Sequence, residues 1–168
     1  MFKEELIREM KKYFGDDQRR IEHALQVTNY AENLIKLYQK KDINSEVILY
    51  SAILHDIGIH QAEKKYNSVA GRYQEIEGPP IAKKILEKFD IDQEIIYEVC
   101  QIIGHHHSPK AIQSNNFKLL YDADWLVNLP EEYNLEDNKK PLAEIIDKLY
   151  LSDIGKNLAK DLFIKSSS

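Results

Sequence analysis

A nearly unbroken apolar run that ends in two ionisable side chains constrains this chain more than any other feature. Residues 47–54 read Val-Ile-Leu-Tyr-Ser-Ala-Ile-Leu, and His55 and Asp56 follow directly. A segment without a polar face is typical of a buried helix or a buried strand. Buried ionisable groups are costly unless a partner neutralises them. The doublet therefore predicts a partner in the protein interior, and a metal ion is the simplest one.

The rest of the chain carries the periodicity of amphipathic helices. Phe2, Leu6, Met10 and Phe14 recur at intervals of four residues, and Gly15 ends that helix. Similar stripes predict further helices over residues 16–40, 90–106 and 116–129, and one or two more over residues 141–164, while the apolar run is read as a buried helix over residues 45–54. No strand alternation of useful length is present, so we expect an all-α bundle.

Between residues 60 and 89 the sequence predicts a loop followed by a helix. Residues 60–67 are compatible with a short helix, and the polar surroundings of Gly71 indicate a loop. The sequence Glu77-Gly78-Pro79-Pro80 then resembles a helix start, because a proline in a first helical turn lacks an N–H that would be unpaired anyway. We therefore expect a helix that begins near Glu77.

Composition limits the possible partners and compartments. The net charge is −5 with neutral histidines, which leaves no basic field for duplex DNA or RNA. Cys100 is the single cysteine of the sequence, so an internal disulfide is excluded. No apolar stretch reaches the roughly 18–20 residues that span a bilayer. We therefore expect no membrane association, no duplex nucleic acid as partner and a cytoplasmic protein.

Two further polar residues interrupt apolar helical stripes. His106 continues the stripe of Ile95, Val99 and Ile102, and Asp124 stands where an apolar residue is expected. Inward-facing histidines and carboxylates on separate helices of a bundle make a metal cage. Imidazole and carboxylate ligands without cysteine suit a divalent transition metal such as Fe, Mn, Ni, Zn or Co.

These residues stand in motifs that resemble the HD superfamily of metal-dependent phosphohydrolases. The early motif His-x3-Val-x3-Ala is present as His23, Val27 and Ala31. The doublet occurs as Leu54–Gly58 in the extended form Leu-His-Asp-Ile-Gly, and the late motif Ala-Asp-x-Leu occurs at residues 123–126. The resemblance implies a single HD domain over residues 1–168, with core motifs over 21–129 and C-terminal helices over 141–164. It also implies four metal ligands: His23, His55, Asp56 and Asp124.

Some members of this superfamily hold a second metal ion through additional ligands. In the resemblance, Glu77 stands where a histidine typically precedes a glycine, and His106 follows the Ile-Ile-x-x pattern. His107 is a second-site ligand or faces substrate, and His105 is a candidate surface neighbour. One or two ions are therefore expected, and Asp56 is the natural bridge between two.

The resemblance implies hydrolysis by metal-activated water, for which His55, Asp56 and Lys64 are the candidate catalytic residues. A bound divalent ion lowers the pKa of its water towards about 7. The cations that follow the doublet, Lys64, Lys65 and Arg72, are the candidates for holding phosphates. The expected partner is a small phosphorylated molecule, in particular a nucleotide, and a homodimer is compatible with such a domain. Two alternatives stay open: a non-catalytic regulatory module that binds metal or nucleotide, and a di-iron protein with oxygenase chemistry.

Overall fold

The protein is built from α-helices. The computed structural model describes residues 1–136 and 139–165, and no β-strand occurs in those ranges. The helices are α1 (Lys3–Phe14), α2 (Gln18–Leu37), α3 (Ser45–Leu54), α4 (Ile59–Tyr66), α5 (Gly71–Leu86), α6 (Gln93–Ile103), α7 (Asn115–Glu132), α8 (Lys139–Leu149) and α9 (Asp153–Phe163). The predicted all-α class is confirmed. None of the described helices has the length and hydropathy needed to cross a bilayer. The single domain over residues 1–168 stays a prediction, and its residues 137–138 and 166–168 lie outside the described part of the chain.

Helix α3 is the centre of the bundle. Every residue from Val47 to Leu54 is buried, because α1, α2, α6 and α7 all pack against this helix. Asn44 begins α3, since its side-chain oxygen accepts hydrogen bonds from the N–H groups of Glu46 and Val47. Such a cap stabilises a helix by about 1 kcal/mol. Because no side of α3 faces water, apolar residues occupy all of its sides, which explains the apolar run.

Helices α2 and α7 pack against each other and against α3. Asp17 caps α2 by accepting a hydrogen bond from the backbone N–H of Arg20. Ser114 caps α7 through the N–H of Phe117. The three mutually packed helices therefore bring the early motif, the doublet and the late motif of the sequence to one interior region.

The predicted loop around Gly71 is wrong, because α5 already begins there. Glu77 lies in the middle of α5, and Pro79 and Pro80 are inside this helix rather than in its first turn. No side chain caps the start of α5, so the sequence carries no start signal at the true boundary. Helix α6 ends at Ile103, which places His106 in the turn that follows it.

The C-terminal region forms two helices, α8 and α9, and α9 is held on α7 by Asp122. This fully buried carboxylate accepts hydrogen bonds from the backbone N–H groups of Leu151 and Ser152, at 2.8 and 2.9 Å, and from the hydroxyl of Ser152 at 2.5 Å. Burial raises the pKa of Asp122 to about 6, and its three donors act in the opposite direction. The same helix, α7, carries Asp124 two residues further on.

Candidate metal centre

Four side chains, from α2, α7 and the turn that follows α3, converge on one interior point. The Nε2 atom of His23 lies 3.2 Å from Nε2 of His55 and 3.1 Å from Oδ1 of Asp124. The Nε2 atom of His55 lies 3.3 Å from the same Asp124 oxygen. Asp56 completes the group, since its Oδ2 atom lies 3.4 Å from Nε2 of each histidine. The structure thus brings together the four residues of the sequence motifs, which we call the first cluster.

The tautomer of His55 leaves a lone pair facing carboxylates. Its Nδ1 lies 2.7 Å from the backbone carbonyl of Ala52 and must donate, because a carbonyl oxygen only accepts. When the ring of this fully buried residue is neutral, its Nε2 atom is an acceptor that faces oxygens of Asp56 and Asp124, and without a metal ion a proton takes the place of the cation there. Acceptors at such distances repel one another unless a cation lies between them. The first cluster therefore fits a divalent metal ion.

The titration of these groups shows the same preference for positive charge. Burial alone would lower the pKa of His55, but the neighbouring carboxylates of Asp56 and Asp124 raise it well above its ordinary value. Burial would raise the pKa of both carboxyl groups, but chiefly the charge of His55 holds each of them below its usual range. Both carboxyl groups are therefore ionised at neutral pH, and their negative charges favour a cation between them.

A second group of ligand-type atoms shares Asp56. His106 donates from Nδ1 to the carbonyl of Ile103 at 2.8 Å, so its Nε2 is an acceptor. This Nε2 is buried, has no hydrogen-bond partner among the described residues and lies 3.4 Å from Oδ1 of Asp56. We call the group formed by Asp56, His106 and His107 the second cluster. The two oxygens of Asp56 face different clusters, which is the arrangement of a bridging carboxylate.

The structure does not bring Glu77 to either cluster. Its carboxylate accepts hydrogen bonds from the Tyr66 hydroxyl at 2.8 Å and from Lys65 at 3.0 Å, and these donors lower its pKa. Gln74, one turn earlier in α5, is the residue of this helix that reaches the second cluster, where its Oε1 lies 3.1 Å from Nε2 of His107. His105 bonds to the carbonyl of Gln101 through Nδ1 and belongs to neither cluster.

A cleft of about 300 Å³ opens onto the centre. Besides residues of both clusters, its walls include Arg19, Arg20, Glu22, Gln26, Ile59, Gln74, Asn128, Glu131 and Glu132. The two arginines stand in the first turn of α2, one turn before His23. The sequence reasoning missed them, although their spacing from His23 on one helix could have indicated that they lie at the same opening.

The cations that the sequence favoured for phosphate do not line this cleft. Lys64 is exposed on α4, and Lys65 is bonded to Glu77. Arg72 is exposed and lies over the ring of Tyr73, 4.6 Å from its centroid. It borders a shallower hollow that also touches His107. Proximity to the doublet along the chain therefore did not translate into proximity to the cleft.

The fold and the first cluster define an all-α protein whose interior His and Asp side chains fit a divalent metal ion. A model of the HD domain matches residues 20–129, so the chain belongs to the HD-domain family. The family resemblance that the motifs indicated is confirmed.

Two similar proteins extend this comparison. An uncharacterized protein of Clostridium beijerinckii is 35% identical over 128 residues, which cover 71% of this chain and 75% of that protein. The crystal structure of a predicted HD superfamily hydrolase from an uncultured Thermotogales bacterium has a TM-score of 0.70 at 20% identity, over 98% of this chain and 86% of that one. At this identity the second comparison shows the fold.

Proposed function

We propose that this HD-domain protein is a metal-dependent phosphohydrolase that cleaves a phosphate ester or anhydride of a small molecule, in particular a nucleotide. The family and the first cluster support a metal-dependent hydrolase in general. The observation that carries the proposal is the set of ligand-type atoms beneath an open cleft: Nε2 of His55 faces oxygens of Asp56 and Asp124, and Nε2 of His106, which has no hydrogen-bond partner among the described residues, faces the other oxygen of Asp56.

The residues that would hold the ion are those of the two clusters. A divalent transition metal supplies a Lewis acid and lowers the pKa of water towards about 7. His23, His55 and Asp124 would hold an ion together with one oxygen of Asp56, whose other oxygen faces His106. The hydrogen bonds from the Nδ1 atoms to backbone carbonyls fix the ring orientations, and such support of metal ligands is usual in metalloenzymes.

Two arginines of the cleft support a phosphorylated substrate. The cleft also carries the carboxylates of Glu22, Glu131 and Glu132, but Arg19 and Arg20 stand on α2 one turn before His23. Guanidinium groups match the geometry of phosphate oxygens and bind them in pairs. The side chain of Arg20 lies 3.9 Å from Asp17, and its backbone N–H forms the cap of α2. Replacing this side chain therefore leaves the helix cap in place.

Phosphate release from the metal-reconstituted protein tests the proposal. We would load the purified protein with Mn, Fe, Co, Ni or Zn and screen nucleoside monophosphates, triphosphates, cyclic dinucleotides, alarmones and dinucleoside polyphosphates. His55→Ala and Asp56→Ala should lower kcat by at least about 100-fold, because they remove ligands of the activating ion. His105→Ala is the matched control and should retain activity. An active Asp56→Ala variant would contradict the proposal.

The other outcomes separate the two alternatives. Retained metal with dioxygen consumption and no phosphate release would favour oxygenase chemistry. Failure of the folded protein to retain any divalent ion would favour a non-catalytic module.

A second test compares the cations of the cleft with those that follow the doublet. Arg20→Ala should raise KM and lower kcat/KM by about 10- to 100-fold, the size of a lost charge-assisted hydrogen bond. Lys64→Ala should leave kcat/KM within a few-fold of the original, because the side chain is exposed away from the cleft. The reverse order of effects would favour the sequence-based assignment of Lys64.

A further inference from the structure

We propose that the two clusters bind metal with unequal affinity and that Gln74 is the residue that weakens the second site. The inference rests on the metal centre of the proposed function and concerns how many ions the resting protein holds. It follows from the charge, the donor types and the hydrogen bonds of the two clusters.

The charges of the two clusters are unequal. The first cluster contains two carboxylates, Asp56 and Asp124, and these neutralise the charge of one divalent ion. The second cluster shares Asp56 and adds only the neutral imidazoles of His106 and His107. An ion in the second cluster therefore meets no further negative charge once the first ion is bound, and the first ion repels it.

Gln74 occupies the place where a further ligand of the second cluster would stand. Its side chain is only 7% exposed and lines the cleft beside His107. The amide nitrogen donates to the carbonyl of Val69 at 2.6 Å, so the oxygen is the atom that faces His107. An amide oxygen is a poor ligand for Fe, Ni or Zn and suits Mg or Mn better. The position is thus filled by a neutral, weakly binding group that is held in one orientation.

The same amide also competes with an ion for His107. Its oxygen accepts a hydrogen bond from Nε2 of His107 at 3.1 Å. That nitrogen becomes available to an ion only after the hydrogen bond is broken. Competition, a missing carboxylate and a neutral oxygen donor all act in the same direction, so the second ion should bind weakly and exchange quickly.

Counting ions tests this inference without any measurement of activity. The purified protein is titrated with Zn²⁺, for which an amide oxygen is a poor ligand, and binding is followed by calorimetry and by metal analysis. After desalting, we expect about one ion per chain, with a second ion that binds at least about tenfold more weakly. Gln74→Glu adds the missing charge at nearly constant volume and should bring the second affinity close to the first. Gln26→Glu adds the same charge elsewhere on the cleft wall and serves as the matched control.

Each result decides the matter. Two ions of equal affinity in the unmodified protein would overturn the inference, and this titration needs no variant to fold. Equal effects of Gln74→Glu and Gln26→Glu would show that Gln74 has no special role. No bound ion under any condition would overturn the proposed function together with this inference, whereas two equal ions with phosphate release would leave the proposed function intact.

Discussion

The contact between α4 and α5 allows a prediction whose size follows from the structure. A Cβ atom added to Gly58 would lie 2.6 Å from the backbone nitrogen of Gly78, 2.8 Å from its Cα and 2.8 Å from the carbonyl oxygen of Gln74. All three atoms are backbone atoms of one helix, so no side chain can rotate away. The φ of Gly58 is −82°, an ordinary helical value, and the whole effect of Gly58→Ala must therefore come from this contact.

The required movement gives the magnitude. Reaching an ordinary contact distance of 3.4 Å requires α5 to shift by about 0.8 Å, and overpacking of this kind costs about 1–3 kcal/mol. The loss of chain entropy in the unfolded state would by itself stabilise an alanine variant by about 0.4–1 kcal/mol. We therefore expect a net loss of about 1–2 kcal/mol in the free energy of unfolding, together with displacement of Gln74 from His107.

Urea unfolding, followed by circular dichroism, measures the loss. Gly78→Ala is the comparison variant, because its Cβ would meet a methyl group of Ile103 at 2.8 Å rather than backbone atoms. It should be less destabilised, since a side chain can adjust and alanine favours a helix interior by about 1 kcal/mol over glycine. An unchanged or increased free energy of unfolding for Gly58→Ala would refute the reasoning.

Three further predictions concern stability. Asp122→Ala should lower the free energy of unfolding by about 2–4 kcal/mol, because the N–H groups of Leu151 and Ser152 lose their buried acceptor; a loss below about 0.5 kcal/mol in urea melts would contradict this. A hydrogen bond from His60, 2.7 Å away, lowers the pKa of Asp17. The ionised Asp17 therefore stabilises the fold at pH values above its ordinary pKa of about 4, and this stabilisation is lost as the pH falls through the lowered pKa. The stability difference between the original protein and Asp17→Asn should therefore shrink below about pH 4, and a difference that stays constant in acid melts would disprove it. Chelation of divalent ions should lower the melting temperature, because the ion binds the folded state alone; equal melting temperatures with and without chelator would count against a bound ion.

The fold class and the first cluster could be anticipated because their signals are local. The apolar run before His55 has no polar face at any helical angle, and Asn44 stands in cap position before it. Asp124 interrupts an apolar stripe of α7, which alone singles it out from Asp122 as the inward ligand candidate. Asp122 is also buried, but its partners lie at the start of α9, and no local pattern in α7 could show that.

The members of the second cluster were among the predicted ligands, but the position of Gln74 beside them and the lining of the cleft could not be anticipated in the same way. The two prolines of α5 suggested a helix start near Glu77, whereas the actual start at Gly71 has no side-chain cap. The ligand was therefore assigned to Glu77, one turn after Gln74 in α5, and the amide of Gln74 is not a typical ligand. The cleft joins α2 with α7, so its arginines are far in sequence from the doublet and become neighbours only through packing.

The hold of α7 on the C-terminal helix sets a lower limit to how far this protein can be shortened. The family match ends at residue 129, but a fragment cut there would keep Asp122 and discard all of its hydrogen-bond donors. Gly155 of α9 packs so closely on that carboxylate that an added Cβ would lie 2.2 Å from its oxygen. Without α9, the carboxylate of Asp122 would be exposed to water two positions before Asp124. We therefore expect such a fragment to lose structure first in α7, next to the first cluster.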